Sequence, residues 1–239
     1  MKKSVLTSTL LSAIGSEHAD SHLQGQYMPY ILLTIGCIGC IFGIIGLSIP
    51  QLQQLDTFIV IEVSQHRTGI LNTIAIGLSL LGGLASTLLI GGIGCWLLML
   101  KKRYSDILFV ILSIFFSTAV GWLLKFLINR PRPEAMYQMV STYGASFPSA
   151  HSIYAAVLAC SALLLLRKHP WFPQIAVIAS LWIISMGLSR IYLAAHFPSD
   201  VLTGWGIGII CTTALYLIFN RKVCNKNTLL LDKNLNEVE

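Results

Sequence analysis

The chain has 239 residues, of which 55% are hydrophobic and 11% charged, with a mean hydropathy of +0.73. That is too oily and too poor in charge for a water-soluble globule of this length, and it points to an integral membrane protein. The net charge of +6 is dispersed among the ends of apolar runs and forms no continuous basic patch, so no nucleic-acid partner is expected.

Residues 1–27 read as a weakly ordered cytoplasmic leader. Lys2 and Lys3 are followed by a mixed stretch with Glu17, His18, Asp20 and His22, so no cleavable signal peptide is expected and the first span serves as the targeting signal. Apolar runs able to cross about 30 Å of hydrocarbon follow near Met28–Ile49, Leu80–Leu100, Ile107–Leu127, Ser152–Leu166, Ile175–Leu193 and Val201–Phe219. The expected fold is therefore an all-α, six-span transmembrane helical bundle forming one domain over residues 28–220, with a polar cytoplasmic tail over 221–239. Pro50 closes the first span, and Gln51–Thr68, carrying Asp56, Glu62, His66 and Arg67, is too polar to cross lipid and is expected to lie along the outer interface. Gly77, Gly82, Gly83, Gly91, Gly92 and Gly94 in and before the second span suggest close helix contact. Cys37 and Cys40 have a redox-motif spacing but lie inside an apolar span, where small packing residues are the better reading.

Lys and Arg accumulate in short loops left on the cytoplasmic side. Lys2-Lys3, Lys101-Lys102-Arg103, Arg167-Lys168 and Arg221-Lys222 alternate with less basic loops. Both termini are then cytoplasmic, and three polar islands fall together on the extracytoplasmic face. Ionisable side chains at the ends of apolar helices are expensive, so these islands read as a functional site.

The first island runs from Lys125 to Pro133. Lys125 and Arg132 are about two helical turns apart, and Pro131 and Pro133 fix the backbone around Arg132. Spacing alone does not choose between Arg130 and Arg132, and both could be ordinary interface anchors. The second island, Phe147–His151, puts Ser149 and His151 at the start of the fourth span. Unpaired N–H groups and the helix dipole there attract an anion, so Ser149, the Ala150 amide and His151 could form a phosphate cradle; Ser149 could equally be a plain N-cap. In the third island Arg190 lies near the end of the fifth span and His196 precedes Pro198, which suits the first turn of the next helix. Asp200 stands four residues beyond His196, a spacing that lets a carboxylate hold one imidazole nitrogen and aim the other. The plain alternative is a helix N-terminal charge.

In this order the islands resemble the signature of the type-2 phosphatidic acid phosphatase superfamily: Lys, six residues, Arg-Pro; Pro-Ser-Gly-His; Ser-Arg, five residues, His, three residues, Asp. Lys125 with Arg132-Pro133 fits the first element and favours Arg132 over Arg130; Ser189-Arg190, His196 and Asp200 fit the third. The departure is Ala150, where the family has Gly; its methyl group restricts φ and crowds the cradle. The resemblance implies a phosphatase that needs no metal or other cofactor. His196 would attack phosphorus to give a phosphohistidine, Asp200 would orient it and His151 would protonate the leaving oxygen. Lys125, Arg132, Ser149, the Ala150 amide and Arg190 would bind the phosphoryl oxygens. Compact members of this family act on undecaprenyl diphosphate, phosphatidylglycerophosphate, phosphatidic acid or lipid A phosphates, which makes a lipid phosphate the expected partner and a bacterial inner membrane the expected location. The resemblance leaves open a phosphotransferase to lipid A, and a lipid-binding or transport protein without chemistry. The oligomeric state has no signature in the sequence.

Overall fold

The computed structural model describes residues 27–236, with side chains described as far as residue 219. Every regular element among them is helical. The leader, apart from Tyr27, lies outside the described residues.

The first helix, α1 (Tyr27–Ser48), ends just before Pro50, which opens α2 (Pro50–Gln65). Proline suits that first position because its missing N–H has no intrahelical partner there. α3 (Gly69–Leu81) starts from a Thr68 cap whose hydroxyl accepts from the Leu71 N–H. α4 (Leu84–Leu100) and α5 (Tyr104–Ile128) follow, and α5 stops at Asn129 in the left-handed region, φ 44°. A long connection containing one 3-10 turn, Ala135–Tyr137, leads to α6 (Ala150–Leu166), α7 (Phe172–Tyr192) and α8 (Pro198–Asn236).

Four helices, α1, α5, α7 and the first part of α8, are long and apolar enough to span a membrane. The expected second span is different: α3 and α4 form a pair bent by 61° at Gly82-Gly83. Counted as one span, the pair brings the total to five. The fourth run, α6, has 17 residues, and it can be short because it lies inside the protein. Nearly all of it from Ser152 to Leu164 is buried, packed against α8, α7 and α5. The polar segment after Pro50 is the helix α2, and its Asp56 is buried rather than laid on the interface. α8 continues as a helix into the expected tail.

Around this centre the outer faces are greasy. Phe115, Phe116, Trp122 and Phe126 on α5 and Ile178, Leu181 and Leu188 on α7 are exposed, as a lipid-facing surface requires. The close contact that matters most is α6 against α8. A Cβ on Gly204 would lie 2.6 Å from the Ser149 carbonyl oxygen, and one on Gly208 2.7 Å from the Ala156 Cβ, so these two glycines let the backbones touch. Of the glycines expected to do this in the second span, Gly82 meets Met186 and Gly91 meets Ile114, whereas Gly77, Gly92 and Gly94 face open space.

Candidate functional site

The chain reverses between α5 and α6 and again between α7 and α8, so the end of α5, the start of α6, the end of α7 and the start of α8 share one end of the bundle. All three polar islands are there. Each junction has a local cause. Ser149 caps α6, its hydroxyl accepting from the Ser152 N–H at 3.4 Å and the Ser152 hydroxyl at 2.9 Å. α7 ends with Ala194 at φ 51°, and the N–H groups of Ala195 and His196 turn back to the Arg190 carbonyl, the usual way of satisfying the last carbonyls of a helix. Pro198 occupies the first position of α8, and the Asp200 carboxylate accepts from the Phe197 N–H at 3.0 Å. That contact is half of a capping box. Asp200 is thus a helix-capping charge and a neighbour of His196 at once, so the two readings of this residue coexist.

His196 is 2% exposed and Asp200 fully buried. Nδ1 of His196 faces Asp200 Oδ2 at 3.5 Å, too long for a well-formed hydrogen bond but in register for one. Nε2 lies 3.3 Å from Arg132 Nη1. Burial pushes the imidazole down to about 3; Asp200 opposes the shift and Arg132 and Arg190 add to it. A neutral ring with one nitrogen turned to a carboxylate and the other beside a guanidinium has its lone pair on the side where an anion would sit.

The other cations surround the ring. Arg132 also donates to the carbonyls of Tyr143 at 2.8 Å, Gly144 at 2.8 Å and Ala195 at 2.7 Å, and Lys125 Nζ donates to Ala145 at 2.7 Å and Ser146 at 3.3 Å. Four consecutive carbonyls of the long connection therefore rest on these two cations, while Met136 and Tyr143 on the same connection stay exposed. Arg190 is 3% exposed, donates from Nη1 to the Ser79 hydroxyl and leaves Nε without a hydrogen-bond partner among the described residues. Nε2 of His151 lies 3.1 Å from the Ser79 carbonyl oxygen, which makes Nε2 the protonated nitrogen of that ring. Arg190, Arg132 and Lys125 all lie within electrostatic reach of His151. Ala150 is the first residue of α6, and its methyl packs against the cluster formed by α5, α6 and α8. Its backbone is helical, a region in which Ala is at no disadvantage to Gly.

A family model described as PAP2 superfamily matches residues 106–224, a stretch that holds all three islands. Phosphatidylglycerophosphatase B of Bacillus subtilis (strain 168) is 32% identical over 148 residues, covering 59% of this chain and 71% of that protein. The chain belongs to the PAP2 superfamily. Among its PAP2 relatives, a lipid A 1-phosphatase of Rhizobium johnstonii is 31% identical over 123 residues, 47% of this chain and 48% of that one. The crystal structure of a transmembrane PAP2-type phosphatidylglycerolphosphate phosphatase from Bacillus subtilis superposes with a TM-score of 0.69 at 28% identity, covering 82% of this chain and 98% of the other. These relatives are phosphatases acting on lipid phosphates, and the all-helical membrane fold is the PAP2 fold.

Four residues of this neighbourhood stand apart from the reading of the sequence. Ser79 reaches Arg190 and His151 from the bent pair, and Ser146 donates to Asp200 Oδ2 from the long connection at 2.5 Å. Arg130, set aside in favour of Arg132, is 9% exposed and bridges Asp56 and Asp200. No local spacing announces the Asp56 contact, because its partners are 74 and 143 residues away.

Proposed function

We propose that this protein is a lipid phosphate phosphatase of the bacterial inner membrane, working at the extracytoplasmic face through a phosphohistidine. The observation that carries the reading is His196, placed with Asp200 facing one nitrogen and Arg132 the other. In the first step Nε2 of His196 attacks phosphorus, the bond to the lipid oxygen breaks, and His151 supplies that oxygen with a proton. Asp200 offsets the positive charge that the phosphorylated imidazole acquires. Water, giving a proton back to His151, then attacks phosphorus, the P–N bond breaks, and phosphate leaves.

Lys125, Arg132, Arg190, the Ser149 hydroxyl and the N–H of Ala150 bind the phosphoryl oxygens, where the charge of the transition state is spread. Their convergence at the start of α6 favours an anion further, since free N–H groups and the helix dipole point there. The chemistry of this set needs no metal: three cations are available to offset the phosphate. The substrate is an amphiphile whose tail remains in lipid, with undecaprenyl diphosphate, phosphatidylglycerophosphate and phosphatidic acid the first to try.

Phosphate release from these three lipids by purified protein in detergent with EDTA tests the reading. Wild type should release phosphate and His196→Ala should not, and acid-quenched wild type should carry an acid-labile phosphoryl group. Release that requires an added acceptor sugar would point to a transferase, and binding without release to a carrier.

A further inference from the structure

Asp56 and Arg130 belong to no element of the family signature, yet both are buried beside Asp200. Arg130 Nη1 donates to Asp200 Oδ1 at 2.7 Å and to the Ser199 hydroxyl oxygen at 2.7 Å, and Nη2 donates to Asp56 Oδ2 at 2.9 Å. The guanidinium lies 4.2 Å over the Phe197 ring. Asp56 is saturated in turn: Oδ1 accepts from the Ser199 N–H at 3.1 Å and Oδ2 from the Ser199 hydroxyl. Exposure is 5% for Asp56, 9% for Arg130 and none for Asp200. Buried charges persist only when paired and hydrogen-bonded, and here one guanidinium serves two carboxylates.

Arg130 holds Oδ1 of Asp200 and, together with the Phe197 N–H and the Ser146 hydroxyl on Oδ2, fixes the rotation that turns Oδ2 to His196. Alone, it would also cancel the negative charge that a phosphorylated His196 needs. A second carboxylate on the far side of the guanidinium removes that conflict, because the three groups together keep one net negative charge. We propose that Asp56 is a positioning residue of the phosphatase reaction: it neutralises Arg130, so that Arg130 can orient Asp200 without depriving His196 of its counter-charge. This rests on the reading of His196 as nucleophile given above.

Asp56→Asn leaves Asp200 as the one carboxylate compensating Arg130, so that the Asp200 charge is cancelled. Its kcat should fall about tenfold or more while KM stays level or drops, because an extra positive charge does not weaken phosphate binding. Asp56→Asn with Arg130→Gln removes both charges and should recover several-fold over Asp56→Asn alone. A purely structural role predicts the reverse, a double variant no better than the single one. Size-exclusion profiles and Tm in detergent establish that the variants are folded.

Where Asp56→Asn fails to fold, Arg130→Gln decides. The charged groups bearing on His196 are Asp200 from α8, Arg132 from the long connection and Arg190 from α7. Freeing two carboxylates beside this set should move the acidic limb of kcat/KM to higher pH, and an unmoved limb overturns the proposal. An active wild type, a dead His196→Ala and an unimpaired Asp56→Asn would sink this inference alone. A wild type that releases no phosphate would remove both it and the reading it rests on.

Discussion

The backbone N–H of Ser149 donates to the backbone carbonyl of Asp200 at 3.0 Å, so α6 and α8 begin from one point. Two helix N-termini are thereby joined beneath His196, and residues that read as separate motifs are mechanically one piece. Ser149→Ala should cost about 0.5–2 kcal/mol in stability through the lost cap and lower phosphate release by more than that loss of folded protein explains. Ser149→Thr, which keeps the hydroxyl, should recover most of both; equal damage from the two would deny the hydroxyl a role.

Gly204 faces that same junction. In Gly204→Ala the new methyl carbon would lie 2.6 Å from the Ser149 carbonyl oxygen and 2.8 Å from the Ser152 Cβ, and backbone cannot step aside as a flexible side-chain end does. Overpacking of this kind costs about 1–3 kcal/mol. A lower Tm accompanied by reduced kcat is expected, and a variant with wild-type values for both would show that the helices part freely.

Ala150 makes a sharper test of sequence-based reasoning, since Gly at this position belongs to the family pattern. Helical backbone and a packed methyl indicate that Ala150→Gly should leave phosphate release within about threefold and cost up to about 1 kcal/mol of stability. A tenfold rise in kcat would instead show the methyl crowding the phosphate.

The stability of the protein should also report on His196. Burial holds its imidazole at about 3 in the folded chain against 6.5 when unfolded, so between these values the unfolded chain binds a proton that the native state refuses. The contribution is whole above pH 6.5 and is lost as pH falls toward 3, by up to about 1.4 kcal/mol per pH unit. In His196→Gln the Tm should decline less steeply with acidification below pH 6.5 than in wild type; parallel curves would contradict the buried neutral ring.

The islands were legible because each is local. Lys125 with Arg132, Ser149 with His151, and His196 with Asp200 sit within a turn or two of one another, and prolines mark the boundaries, Pro131 and Pro133 beyond the end of α5 and Pro198 at the start of α8. What pairs across the fold was not legible. Asp56 finds Arg130 only when α2 packs against the start of α8, and Ser79 finds Arg190 only because the second span bends at Gly82-Gly83. The small size of these glycines suggested close contact, which Gly82 makes with Met186, and it gave no sign that the backbone also bends there. The span count is approximate for a related reason: the second span is a bent pair, and α6 has only 17 residues and is surrounded by protein.

That enclosure changes which substitutions each helix accepts. On α5, Phe115, Phe116, Trp122 and Phe126 face outward, and exchange among apolar side chains of any shape should pass unnoticed. In α6 the constraint is room: Ala155, Ala156, Ala159 and Cys160 are small and buried, as are Ser161 and Ser152, whose hydroxyl is bonded to Ser149. Sequence drift in the central helix should therefore exchange one small residue for another and change size hardly at all, the opposite of its lipid-facing neighbour.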